Sequence, residues 1–197
     1  MNRTTLRKTT YFTTVIGGAA AFVWSIKHFH FSPFGILLLV AILLLPGRIL
    51  GFFYRDLMRG LRLLRAKEYA ESKRHSELFL ETLARKPWIR HVAWLGGGAY
   101  SRDPEALALN NLGCAEIGLA DFGSSRLHLE QSIAVDPQNP LPYFNMGLAM
   151  NVQGEISAAR AWFEKAHARG YSRSAIDAII SASQAAFACT DGRGKSR

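Results

Sequence analysis

The sequence predicts an all-α protein, a two-helix transmembrane hairpin at the N-terminus followed by an α-α superhelix, that is, a helical solenoid of paired helices. Three observations carry this expectation. Two apolar stretches with almost no charge open the chain, at residues 10–26 and 31–53. Apolar residues then recur at spacings of three and four, the period of one helix face. Finally, residues 106–139 match residues 140–173 at a shift of 34, an internal repeat of the length expected for a helix pair.

Charge distribution narrows the function classes. The 197 residues carry a net charge of +9 at a mean hydropathy of only +0.03, but both averages hide a division. Residues 1–100 hold fifteen Lys/Arg against five Asp/Glu, whereas residues 101–170 hold five against eight. The part that reads as folded is therefore the acidic part, and the basic residues flank apolar stretches. That is the arrangement of a membrane protein rather than of a nucleic-acid-binding domain, which clusters Lys and Arg on its folded face. Two cysteines in 197 residues do not make a disulfide scaffold.

The first domain, residues 1–53, is expected to cross the membrane twice. A hydrocarbon core of about 30 Å needs roughly 20 helical residues, with about 17 as the lower limit. The stretch at 10–26 just meets it, and the second, from Phe31, reaches it by continuing through Pro46 and Arg48 to residue 53. Arg3, Arg7 and Lys8 precede the first span, only Lys27 lies between the two, and Arg48 near the end of the second is followed by Arg55, Arg59, Arg62 and Arg65. Both termini are thus placed on the cytoplasmic side. A bacterial inner membrane is the preferred location on size and architecture. A cleaved signal peptide, the competing reading of residues 1–21, leaves the second stretch unexplained. Gly17 and Ala21, four residues apart, allow the two spans to approach closely.

Residues 54–71 are expected to form a basic amphipathic connector helix. Leu50, Phe53, Leu57, Leu61 and Leu64 mark one face, and Arg55, Arg59, Arg62 and Arg65 fall between them. Such a helix can lie along the inner leaflet with its arginines on anionic lipid; the positive-inside bias alone also accounts for these residues. Next comes a mixed-charge helix with Leu78, Phe79 and Leu83 as its buried side, stopping before Pro87.

The 34-residue shift aligns Leu109 with Tyr143, Leu112-Gly113 with Met146-Gly147, Ser125 with Ala159, Leu129 with Phe163 and Ser132 with Ala166. A glycine in mid-helix is a liability unless another helix passes too close for a side chain, and the small–large–small series lets the second helix of a pair nest on the first. This pattern resembles the tetratricopeptide repeat. The resemblance implies a first copy at 106–139 closing at Asp136-Pro137, a second at 140–173, and a degenerate copy at 72–104 that ends on Asp103-Pro104. Residues 174–188 are expected to cap the open apolar end, and 189–197 to form a flexible tail.

Carried onto this sequence, the resemblance also implies a partner-binding concave face lined by Asn110, Cys114 and Ile117 from the first copy and by Phe144, Leu148 and Asn151 from the second. None of these is Lys or Arg, so a clamp for a C-terminal carboxylate is not expected, and an extended peptide or helix suits the groove better. No catalytic constellation stands out. His28 and His30 lie across the expected membrane from His75 and His91, and Gly96-Gly97-Gly98 lacks the following Lys-Ser/Thr of a phosphate loop. No enzyme activity, cofactor, metal or nucleic acid is expected. The expected partners are proteins in the groove and membrane lipid, with self-association compatible with the short solenoid. The leading functional expectation is a membrane-anchored adaptor, and the alternative is an accessory subunit of a membrane enzyme or secretion complex whose hairpin packs against partner spans.

Overall fold

The computed structural model describes residues 51–90, 103–174 and 176–182, together with isolated positions between 13 and 48. Every regular element among the described residues is helical. They are α1 (Arg55–Arg65), α2 (Tyr69–Arg85), α3 (Pro104–Gly118), α4 (Phe122–Val135), α5 (Pro140–Val152) and α6 (Ile156–Ala168), followed by helical residues 173–174 and 176–182. Each element packs on the next, and the first helices of successive pairs also meet, α1 with α3 and α3 with α5. The described residues thus form a row of three helix pairs.

Local sequence explains the helix boundaries. Asp103 and Asn139 cap α3 and α5, accepting from the amides of Glu105 at 2.8 Å and Leu141 at 3.1 Å. A proline follows each cap at the first helical position, where its missing N–H leaves no bond unmade. Asp121 caps α4 by accepting from the Ser124 amide at 3.2 Å, and its hydrogen bonds to Ser124 hold its carboxyl below the usual aspartate value, with Lys73 and His128 adding to the effect. Residues 87–90 form a 3-10 turn after α2, pinned by the Tyr54 hydroxyl, which donates to the Ile89 carbonyl at 2.9 Å.

The three pairs share one design, built on Gly60, Gly113 and Gly147. Seven residues after each glycine the backbone turns left-handed, at Lys67 (φ 63°), Ala120 (φ 58°) and Gly154 (φ 82°). Eight residues after it, the amides of Glu68, Asp121 and Glu155 close the turn on the carbonyls of Leu63, Glu116 and Met150, each at 2.9 Å. Twelve and sixteen residues after it lie the side chains that cross the glycine: Ser72 and Ser76, Ser125 and Leu129, Ala159 and Phe163. A Cβ on Gly113 would stand 2.7 Å from Leu129 Cγ, and one on Gly147 2.6 Å from the Phe163 ring. At Gly60 the approach is gentler, 3.2 Å to the Ser76 hydroxyl.

Between the pairs, size is redistributed. The second and third pairs place a large residue at the sixteenth position and a small one at the nineteenth, Leu129 with Ser132 and Phe163 with Ala166. In the first pair the order is exchanged, Ser76 then Phe79, both fully buried. Ser72 donates to the Gly60 carbonyl at 2.9 Å, Ser76 to the Ser72 carbonyl at 3.0 Å and Ser132 to the Ala106 carbonyl at 2.7 Å, whereas the buried Ser125 hydroxyl has no hydrogen-bond partner among the described residues. Phe79 joins Tyr54, Leu57, Leu83, Ile89 and Ala108 in one core cluster, and Phe144, Phe163 and Ile176 anchor another at the far end.

Several expectations are corrected. The connector expected over 54–71 is not one helix: it breaks at Lys67, and α1 with α2 forms a helix pair in phase with the other two. The apolar face of α1, with Leu57 and Gly60 buried, packs against α2 rather than facing lipid. The degenerate copy expected at 72–104 is displaced, because the pair that recurs spans residues 55–85, and its glycine lies 53 residues before Gly113 instead of 34. Leu78, expected in the core, is exposed, while Ser72, His75 and Ser76 join Phe79 and Leu83 on the buried face of α2. The expected capping helix is present through residue 182, with Ile176 buried against the Phe144 cluster.

Among the described residues no helix is long and apolar enough to cross a membrane. The expected spans at 10–26 and 31–53, most of the degenerate copy beyond residue 90, and the tail at 189–197 lie largely or wholly outside those residues.

Candidate functional site

The six residues expected to line a groove fall on α3 and α5, which pack side by side. Three of them are taken up by the structure itself. Asn110 is 4% exposed and accepts from the Asn145 side-chain amide at 2.8 Å, a buried bond that ties α3 to α5. Phe144 is stacked on Tyr171, with ring centroids 4.1 Å apart, and lies 5.5 Å from Phe163. Asn151 is buried. Cys114, Ile117 and Leu148 are only half-buried and stay at the open side.

The common register adds residues that the sequence assigned elsewhere. Counting from the glycines, Cys114 and Leu148 share a position with Leu61, and Ile117 and Asn151 share one with Leu64. Leu61 and Leu64 are half-buried on α1, which packs beside α3. A recurring apolar position thus runs along three neighbouring first helices. The spacing of twelve from Gly60 to Ser72, the same as from Gly113 to Ser125, is the sequence signal for it.

Behind this face sits a charged cluster. Glu116 of α3 has a fully buried side chain, and its two carboxylate oxygens meet Lys73 Nζ of α2 at 2.9 Å and His128 Nδ1 of α4 at 2.7 Å. The hydrogen bond to Glu116 raises the Lys73 pKa, burial opposes the rise, and Glu116, Glu77 and Asp121 add charge attraction. A buried carboxylate requires such compensation, because an unpaired charge in the interior costs several kcal/mol. The cluster joins three consecutive helices across the junction of the first two pairs. Burial also pushes the Cys114 thiol up to about 12, so at neutral pH this residue is an apolar thiol rather than a thiolate.

The four arginines expected at a membrane surface, Arg55, Arg59, Arg62 and Arg65, are all exposed on α1. Arg55 and Arg59, with Asp56, His75, Glu81 and Arg85, line an open groove of about 510 Å³ between α1 and α2. Asp56 is held there by His75 Nδ1 at 3.1 Å, and Glu81 lies 3.5 Å from Arg85. No group of three His, Cys, Asp or Glu side chains is placed to hold a metal ion among the described residues.

No protein-family model matches the chain, and comparison with curated proteins and with solved structures gave no match.

Proposed function

We propose that the chain is a membrane-anchored adaptor of tetratricopeptide-repeat type, which binds an extended peptide or a helix of a partner protein along the first-helix face of its stacked pairs. The observation that carries this reading is the half-buried row Leu61, Cys114 and Leu148, with Leu64 and Ile117 beside it. Single exposed apolar side chains need no explanation, but a row repeated at one register across three neighbouring helices suits a partner that lays side chains into successive notches. Absence of lysine and arginine from that row favours an apolar ligand over a terminal carboxylate. The repeat resemblance is supported by the shared glycine crossings and left-handed turns.

The anchor in this reading is the hairpin of residues 1–53, with both termini cytoplasmic, preferably in a bacterial inner membrane. It rests on the length and charge pattern of the apolar stretches. Tethering raises the concentration of the groove at the bilayer without any chemistry of its own. The alternative is an accessory subunit whose spans pack on those of a membrane complex.

A crosslinking pull-down from native membranes tests the choice. Full-length chain is compared with an Ile117→Glu/Leu148→Glu variant and with a Gly17→Leu/Gly18→Leu variant, each checked for helix content. Loss of the captured partner only in the first variant supports the adaptor. Loss only in the second favours the accessory subunit and contradicts the groove as the recognition element.

A further inference from the structure

The groove between α1 and α2 has features that peptide binding by the first-helix face does not use. Arg55 and Arg59 lie in it without a carboxylate partner among the described residues, while Asp56 is hydrogen-bonded to His75 and Glu81 is paired with Arg85. Its mouth lies at the end where α1 begins and α2 finishes. There an aromatic cluster is assembled: Phe53 packs edge-on against Trp88 at 4.9 Å, Lys86 stands 5.8 Å over the Phe53 ring, and Phe52 and Trp88 are 70% and 50% exposed. Exposed aromatics beside lysine and arginine are the residue set that settles at a membrane–water interface.

We infer that this groove binds the phosphate of an anionic phospholipid headgroup, with Arg55 and Arg59 on the phosphate and Phe52 and Trp88 seated among the upper acyl chains. The inference rests on the anchored reading above, because the helical residues 51–53 that lead into α1 end the second apolar stretch and so turn this end of the first pair toward the bilayer. It also changes which arginines matter. With its apolar face packed on α2, α1 cannot lie flat with that face in lipid, and it leaves the membrane end-on. At about 1.5 Å of rise per residue, Arg59 stands roughly 6 Å beyond Arg55, and Arg65 roughly 15 Å beyond it. The headgroup layer is only about 5–7 Å deep on each side of the hydrocarbon core. Arg55 and Arg59 therefore lie within it, and Arg62 and Arg65 stand clear. A diffuse attraction to a negative surface fades gradually over a Debye length of about 8–10 Å and would leave Arg62 and Arg65 a partial share, whereas a built headgroup site divides the two pairs sharply.

The full-length chain is reconstituted in phosphatidylcholine nanodiscs with and without phosphatidylglycerol, and retained lipid is counted by native mass spectrometry. Arg55→Gln/Arg59→Gln and Arg62→Gln/Arg65→Gln remove the same charge, so they differ only in place. The first double variant is expected to lose retained phosphatidylglycerol by about fivefold for each arginine, and the second to keep it. Equal loss in both, or equal retention of phosphatidylcholine, overturns the headgroup site. Displacement by inorganic phosphate overturns it in favour of a free-anion site, and displacement by an acidic peptide overturns it in favour of a protein ligand. Resistance of the chain to alkaline extraction is read separately: its loss strikes the hairpin, and the difference between the two double variants still decides the groove.

Discussion

The ammonium of Lys73 lies 2.9 Å from a carboxylate oxygen of Glu116, whose side chain is fully buried, and this ion pair crosses the junction between the first helix pair and the second. Removing one partner leaves the other charge in the interior, which costs about 3–5 kcal/mol for a fully buried pair. Lys73 is about one third exposed and His128 stays 2.7 Å from the same carboxylate, so Lys73→Met is expected to cost on the order of 2–3 kcal/mol. The double variant Lys73→Met/Glu116→Leu should recover most of that loss, as read by denaturant unfolding of the full chain in mild detergent. The pair also has an alkaline signature. Because the folded pKa of Lys73 is raised, its contribution is complete below the ordinary lysine value of 10.5 and is lost as pH climbs from there through the raised value. Glu116→Gln should weaken that alkaline loss.

At the helix crossings, Gly147→Ala and Gly113→Ala are expected to destabilise the protein by about 1–3 kcal/mol, although alanine gains about 1 kcal/mol of helix propensity over glycine. The new methyl would meet the Phe163 ring at 2.6 Å in one case and Leu129 at 2.7 Å in the other, with a backbone carbonyl at 3.1–3.2 Å behind each. Gly60→Ala meets nothing nearer than 3.2 Å and should be close to neutral. Thermal unfolding of the three single variants checks the order, and a Gly60 variant as damaging as the other two would contradict it.

The left-handed turns make a prediction of opposite sign. Ala120 and Lys67 hold φ near +60°, a conformation that costs a non-glycine residue about 1–2 kcal/mol. Ala120→Gly and Lys67→Gly are therefore expected to stabilise by roughly 0.5–1 kcal/mol, after the entropy that glycine gains in the unfolded chain is set against the relief of strain. Gly154→Ala, at φ +82°, should cost about 1 kcal/mol. Urea midpoints of the three variants, measured side by side, test the set.

Much of the stack was legible in the sequence because its second and third pairs follow each other at a fixed 34 residues. Gly113 and Gly147 announced the close crossings, Ala159 and Ala166 the nesting, and Pro137 the end of a helix. The first pair was hidden for two physical reasons. Between it and the second pair the chain spends 53 residues from glycine to glycine, so a period of 34 counted back from Gly113 falls beyond the first pair's glycine. Its crossing also puts the large side chain at Phe79 and the small one at Ser76, which reverses the pattern of Leu129 with Ser132, while Lys67 replaces the glycine of the turn. Amphipathic spacing marks α1 as helical, but periodicity does not say whether an apolar face is covered by lipid or by protein. For the same reason Asn110, Phe144 and Asn151, expected to line a groove, are buried. A register position shows which helix face a residue occupies, and only the packing shows that Asn145 and Tyr171 already cover two of them.

In the three-pair stack α1 and α2 belong to the folded body and do not serve as a membrane-surface connector. Hydrogen–deuterium exchange of the full-length chain in detergent measures this directly. Amides from Leu57 to Leu64 are expected to exchange as slowly as those of α3, and Lys73→Met should quicken α1 and α2 together while leaving α5 and α6 slow. Rapid exchange throughout α1 in the unaltered chain, with α3 to α6 protected, would contradict the three-pair stack.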